Sequence, residues 1–152
     1  DLLVLADRLC ADYQVVLIGL TSKQLSHIPP NVLALPRTAD QTELAQWYTT
    51  ANVFANPTYE ETFGLTTVEA QACGTPVVVY ETDGCPETLV SEDSVLVAQG
   101  DLDGLECAVR DIIRRGTRVA PFKTERFDKS CTYREYIRLY EYMCGSAFQR
   151  EK

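Results

Sequence analysis

Short β-branched runs alternate with helical periods along the whole chain, and this rhythm constrains the fold more than any other feature. Strands separated each time by a helix-length segment lie parallel, because a parallel pair needs a crossover long enough to hold a helix. Leu2, Leu5, Ala6 and Leu9 recur at helical spacing, predicting a helix that ends near Asp12, with a buried strand over 14–19 behind it. A weak helix and the breaker Pro29-Pro30-Asn31 lead to a strand over 32–35. Asp40 or Thr42 opens a helix through Tyr48, and a third strand covers 52–55. Asn56-Pro57-Thr58 and a loop to Leu65 precede a helix over 67–73, which Gly74-Thr75-Pro76 stops. Residues 77–80 read as a fully buried strand, Asp83-Gly84 as a turn, Pro86 as the first position of a short helix and 94–98 as the last strand. Leu102, Leu105, Val109, Ile112 and Ile113 mark the next helix. A terminal helix over 132–144 starts at Thr132, which forms a capping box with Glu135. It sets Tyr133, Tyr136, Ile137 and Tyr140 on one face, which reads either as a stripe packed on the core or as a contact with another domain.

The chain opens on a helix, whereas a doubly wound domain opens on its central strand, so a strand is expected upstream. The 152 residues, 45% of them hydrophobic, suffice for one soluble domain with its own core. A net charge of −8 leaves no basic field for a polyanion, which argues against nucleic acid as a partner. The longest apolar runs fall far short of the ~20 residues that cross a bilayer, and no secretory leader is read at the start. Six cysteines at 10, 73, 85, 107, 131 and 144 form no CxxC pair, and His27 is the one histidine, so no zinc motif exists and no metal is expected. Cys10, Cys73 and Cys107 fall within helical apolar patterns, which points to free thiols in a reducing, cytoplasmic context.

The segment from Asn56 to Val79 carries the chemistry. A strand delivers the chain to its carboxyl end, a loop bearing Glu61 and Gly64 follows, and a helix starts with its amino end toward the same crevice, where open α/β sheets bind ligands. N–H groups over 65–68 suit phosphate or hydroxyl oxygens, and Gly64 admits close backbone approach. Glu69 reaches back toward the crevice, where a carboxylate accepts two hydrogen bonds from a vicinal diol such as that of a ribose or hexose. Two plainer readings compete. Thr66-x-x-Glu69 is itself a capping-box pattern, and Glu61 beside Glu60 is also half of a solvated acidic loop.

Glu61, seven intervening residues and Glu69, with Phe63-Gly64-Leu65 inside and Glu69-Ala70-x-Ala72-x-Gly74-x-Pro76-Val77-Val78 following, resemble the E-x7-E signature of retaining glycosyltransferases. These belong to the glycogen-synthase-like "group 1" superfamily on the GT-B fold. Val16-Leu17-Ile18-Gly19, the stretch from Glu43 through Phe54 and Gly84-x-Pro86-Glu87 are similar to further family segments, so the resemblance spans residues 1 to 115. It implies a Rossmann-like, three-layer α/β/α domain with a parallel sheet, the carboxyl-terminal, donor-binding domain of a GT-B enzyme. The implied guest is a nucleotide-diphosphate sugar, which is substrate rather than cofactor. Glu61 would contact the donor sugar and stabilise positive charge at the reacting carbon, and Glu69 would hold the ribose diol. Backbone N–H groups of Phe63, Gly64, Leu65 and Thr66 would contact sugar and diphosphate. Arg37 and Thr38, after the family's third strand, match the base-contacting loop; for Arg37 a surface salt bridge is at least an equal alternative.

Family members clamp the diphosphate with an arginine and a lysine after a first strand that this sequence lacks, and their amino-terminal acceptor domain is also absent. Asp83 stands where relatives often carry a glycine, and His27 matches no catalytic position and reads as a surface residue. The resemblance implies that the terminal helix straps back to the absent domain and, when exposed, favours self-association. Membrane association through a basic first domain is frequent among relatives and stays open for the whole protein. A nucleotide-sugar epimerase and a non-catalytic interaction domain of flavodoxin-like topology are the rival readings, and clustered aspartates for a phosphoreceiver are lacking.

Overall fold

In the computed structural model, residues 1–9, 11–122 and 127–148 are described; Cys10 lies outside them. The elements run α1 (Leu2–Leu9), β1 (Val15–Ile18), α2 (Ser22–Leu25), β2 (Val32–Leu35), α3 (Gln41–Thr50), β3 (Phe54–Asn56), α4 (Leu65–Ala72), β4 (Val77–Tyr80), α5 (Cys85–Thr88), β5 (Val95–Val97), α6 (Leu102–Arg115) and α7 (Lys129–Phe148). Each strand pair is parallel: Val15 faces Val32, Phe54 faces Val77 and Val78 faces Val95. The strands form two sheets, β1-β2 and β3-β4-β5, instead of one continuous sheet. Residues 1–120 form one compact unit and residues 121–152 a second.

Strand β4 explains why helices cover both faces of the three-stranded sheet. Successive side chains of a strand point to opposite sides. Val78 and Tyr80 join Leu5 and Leu9 of α1 with Leu105, Val109 and Ile112 of α6, while Val77 and Val79 join Tyr48 of α3, Ala70 of α4 and Cys85 of α5. All four β4 residues are fully buried, which is why the strand is an unbroken apolar run. The result is a helix–sheet–helix sandwich. Strand β1, expected to be buried, is only half-buried, since it pairs on one side alone.

Local chemistry sets the helix ends. Asp40 caps α3 by accepting from the Glu43 N–H at 2.9 Å, and the Glu43 carboxylate accepts in return from the Ala39 N–H at 2.6 Å. Asp101 caps α6, and Gly116, at φ 63°, ends it. The Arg118 guanidinium donates to the carbonyls of Thr49, Ala51 and Cys73, so one cation serves the carboxyl ends of both α3 and α4. Among the described cysteines, 73, 85, 107, 131 and 144 are free thiols. Cys107, expected within an apolar face, is exposed, because the buried side of α6 is occupied by Leu105, Val109 and Ile112.

The terminal unit corrects the expected start and cap of the last helix. Helix α7 begins at Lys129, and its cap is Asp128, whose carboxylate accepts from the Ser130 N–H at 2.8 Å and the Cys131 N–H at 3.4 Å. Those backbone N–H groups hold the Asp128 carboxyl below its ordinary range. Thr132 therefore sits inside the helix, its hydroxyl donating to the Asp128 carbonyl, and no capping box with Glu135 forms. Tyr133, Tyr136, Ile137 and Tyr140 are 54–63% exposed, and Tyr136 and Tyr140 stack on each other within the helix, centroids 6.4 Å apart.

Candidate functional site

The loop after β3 meets the turn after β4 in direct backbone contact. A Cβ placed on Gly84 would lie 2.7 Å from the Thr62 carbonyl oxygen and 3.0 Å from the Phe63 Cα, so only glycine fits there. Two hydrogen bonds join the same segments: the Glu61 N–H donates to the Asp83 carboxylate at 3.3 Å, and the Thr82 hydroxyl donates to the Thr58 carbonyl at 3.2 Å. Asp83 takes φ 37°, a left-handed backbone that aspartate tolerates better than most residues. An open cleft of about 500 Å³ lies against Glu60, Glu61, Thr62 and Asp83. Three of its four lining residues are acidic, which makes it a place for positive charge.

Helix α4 begins where this loop ends. Gly64 is its N-cap at φ 80°, so no cap side chain accepts from the first-turn N–H groups. The Thr67 N–H is taken by the Gly64 carbonyl at 2.9 Å, which narrows the expected N–H set over 65–68. A Cβ at Gly64 would press within 3.4 Å of the Glu61 Cγ, placing the Glu61 side chain directly against the helix start. Because α4 starts at Leu65, two residues earlier than expected, Thr66 lies within the first turn and does not cap the helix. The capping-box reading of Glu69 therefore fails. Its carboxylate instead accepts from the Tyr48 hydroxyl at 3.3 Å.

The structure thus brings Glu61, Gly64 and the start of α4 together. Glu61 and Phe63 are half-buried, whereas Leu65, Thr66 and Glu69 are exposed. Arg37 is exposed and Thr38 half-buried just beyond β2, in the other sheet. Among the described residues no hydrogen bond or ion pair joins either to Glu61 or Glu69, and Arg37 forms no salt bridge. His27 is exposed, as expected, with Nδ1 2.7 Å from the Lys23 carbonyl oxygen. The contacts of Asp83 to Glu61 and of Tyr48 to Glu69 are not legible in the sequence, since they span 22 and 21 residues and follow no local spacing rule. Among the described residues, no group of three or more His, Cys, Asp or Glu side chains is placed to hold a metal ion.

The profile of the family "Glycosyl transferases group 1" matches residues 3–115, the stretch that contains this loop and helix. The chain belongs to that family. A D-inositol 3-phosphate glycosyltransferase 2 of Catenulispora acidiphila is 39% identical over 93 residues, covering 60% of this chain and 22% of that protein. A D-inositol 3-phosphate glycosyltransferase of Streptomyces bingchenggensis is 47% identical over 60 residues, covering 40% and 13%. The matches thus span about a fifth or less of these group 1 relatives. Sucrose-phosphate synthase from Thermosynechococcus elongatus superposes with a TM-score of 0.72 at 24% identity, over 95% of this chain and 42% of that one. That likeness establishes the fold: the Rossmann-like α/β architecture of a GT-B domain.

The packing of loop on turn gives a direct test of how this group 1 site is held. Gly84→Ala is expected to destabilise the fold by about 1–2 kcal/mol, because the added methyl meets backbone atoms and not a flexible side chain. Urea unfolding of the variant measures it. The φ of Gly84 is −77°, which alanine adopts freely, so any loss reports crowding alone. An unchanged midpoint would show that the 61–64 loop yields at no cost.

Proposed function

We propose that this chain is the carboxyl-terminal, donor-binding half of a glycosyltransferase that moves a sugar from a nucleotide-sugar to an acceptor with retention of anomeric configuration. Polysaccharide or glycoconjugate assembly is the proposed setting. The observation that carries the reading is the junction of Glu61 with the side-chain-free N-cap Gly64 at the start of α4. Positive charge developing at the anomeric carbon suits the acidic cleft of Glu60, Glu61 and Asp83. The departing diphosphate suits the helix amino end, where Leu65 and Thr66 offer N–H groups and the macrodipole favours an anion. Glu69 then receives the ribose diol, and Arg37-Thr38 the base. This scheme asks no metal of the described residues.

The sheet break supports the upstream part of the reading. Strand β1 pairs only with β2, and β3 pairs on one side only with β4, so each keeps an unpaired edge. In the doubly wound order the place between two such edges belongs to the first strand, and the ligand crevice opens beside it. A preceding strand of the full-length protein would bring the basic diphosphate clamp there, and its acceptor domain would complete the active site, so transfer needs the whole protein. The exposed face of α7 is proposed to cross to that domain, and in its absence to favour self-association.

Thermal unfolding of the full-length protein with uridine, guanosine and adenosine diphosphates and their sugars tests the reading. One nucleotide series is expected to raise the transition temperature, since a ligand of the folded state stabilises it, and Glu69→Ala is expected to abolish the rise. No shift with any series would overturn a donor site.

A further inference from the structure

We infer that Tyr48 is a positioning residue for the Glu69 carboxylate, fixing one of its oxygens so that the pair of oxygens meets a vicinal diol in a single orientation. The inference rests on the proposed role of Glu69 as acceptor for the donor ribose. Glu69 is exposed on α4, and an exposed glutamate samples several rotamers, which an ordered bidentate contact must first freeze out. Tyr48 removes that freedom from behind. Its hydroxyl donates to Glu69 Oε2 at 3.3 Å, which leaves Oε1 and the remaining lone pair of Oε2 for two diol hydroxyls.

The tyrosine is itself held on every side. The residue is 8% exposed, packed in one cluster with Ala70 and Cys85, and its ring is edge-on to Phe54 with centroids 5.5 Å apart. The Tyr48 carbonyl accepts from the Thr75 hydroxyl and from the Ala51 N–H, locking the last turn of α3. Burial first, and the nearby Glu69 charge second, push the phenol well above its ordinary range, so the group remains a hydrogen-bond donor at every working pH. A purely packing role would be served as well by phenylalanine. The hydroxyl is what reaches the carboxylate.

Affinities of the full-length protein for uridine, guanosine and adenosine diphosphates, each set against its 2′,3′-dideoxy analogue by calorimetry, test the assignment. Wild type is expected to prefer the ribonucleotide of its cognate base, and Glu69→Gln to erase that preference. Tyr48→Phe is expected to weaken the ribonucleotide about three- to tenfold, in line with one charge-assisted hydrogen bond acting through a second group, and to leave the dideoxy analogue unchanged. The dideoxy affinity reports folding and packing, so a parallel fall of both ligands would assign Tyr48 a structural role and overturn the inference. Loss of preference in Glu69→Gln but not in Tyr48→Phe would overturn it while leaving the role of Glu69 intact. Absence of any ribose preference in wild type would overturn the role of Glu69, and this inference with it.

Discussion

On the proposed reading of the site, replacing Glu61 by alanine is expected to lower kcat for sugar transfer by the full-length protein by about 10²- to 10³-fold, the usual cost of deleting a preorganised group that would face developing charge. Affinity for the nucleoside diphosphate should hardly change. The split follows from where the residue stands. Its N–H is tied to Asp83, its Cγ lies against the Gly64 position, and its loop is wedged on the glycine of the next turn. The backbone and the stem of Glu61 are thus held before the substrate arrives, which limits the reorganisation needed in the proposed transfer. An interaction that strengthens only in the transition state appears in kcat and not in ground-state binding. Steady-state kinetics with saturating donor, together with calorimetry on the diphosphate, separate the two quantities. A raised KM at unchanged kcat would make Glu61 a binding residue, and unaltered kinetics would remove it from the site.

Much of the frame was readable in the sequence because it obeys periodic rules. Residues 77–80 form the buried strand expected of an unbroken apolar run, and residues 32–35 form a strand with the expected bounds. Asp40, one of the two starts the pattern offers alongside Thr42, caps α3. The errors fall where two local rules compete. Thr132 and Asp128 both offer an oxygen near the start of α7, and the earlier residue wins because its carboxylate takes two N–H groups at once. Thr66 matches a capping box, yet Gly64 in the left-handed region starts α4 ahead of it and makes the pattern irrelevant. Cys107 fits a helical apolar pattern in the sequence but lies outside the buried arc of α6. The spacing of Glu61 and Glu69 could be read directly. What steadies each of them could not, because Asp83 and Tyr48 arrive from other elements, across distances no periodicity encodes.

Helix α4 must itself be held for any of this to operate, and Gln71 is the group that holds it. Its amide is 1% exposed and works at both ends. Nε2 donates to the carbonyls of Thr67 at 3.0 Å and Thr88 at 2.8 Å, while Oε1 accepts from the Val90 N–H at 3.0 Å and the Ser94 hydroxyl at 3.2 Å. The Ser94 oxygen accepts in turn from the Val77 N–H at 3.2 Å, so one side chain joins α4 to the end of α5, to the segment before β5 and, through Ser94, to β4. Gln71→Leu keeps the volume and deletes the amide, stranding the Val90 N–H and the Thr88 carbonyl in a site with little access to water. Each orphaned buried group costs about 1–3 kcal/mol, so the variant is expected to lose about 2–4 kcal/mol in urea unfolding. Gln71→Glu should fare no better, since it retains the acceptor oxygen but forfeits the NH2 donors and buries a charge. If Gln71→Leu unfolded at the wild-type midpoint, water or a local backbone shift would be satisfying those groups, and the rigidity of α4 would have to come from its apolar face alone.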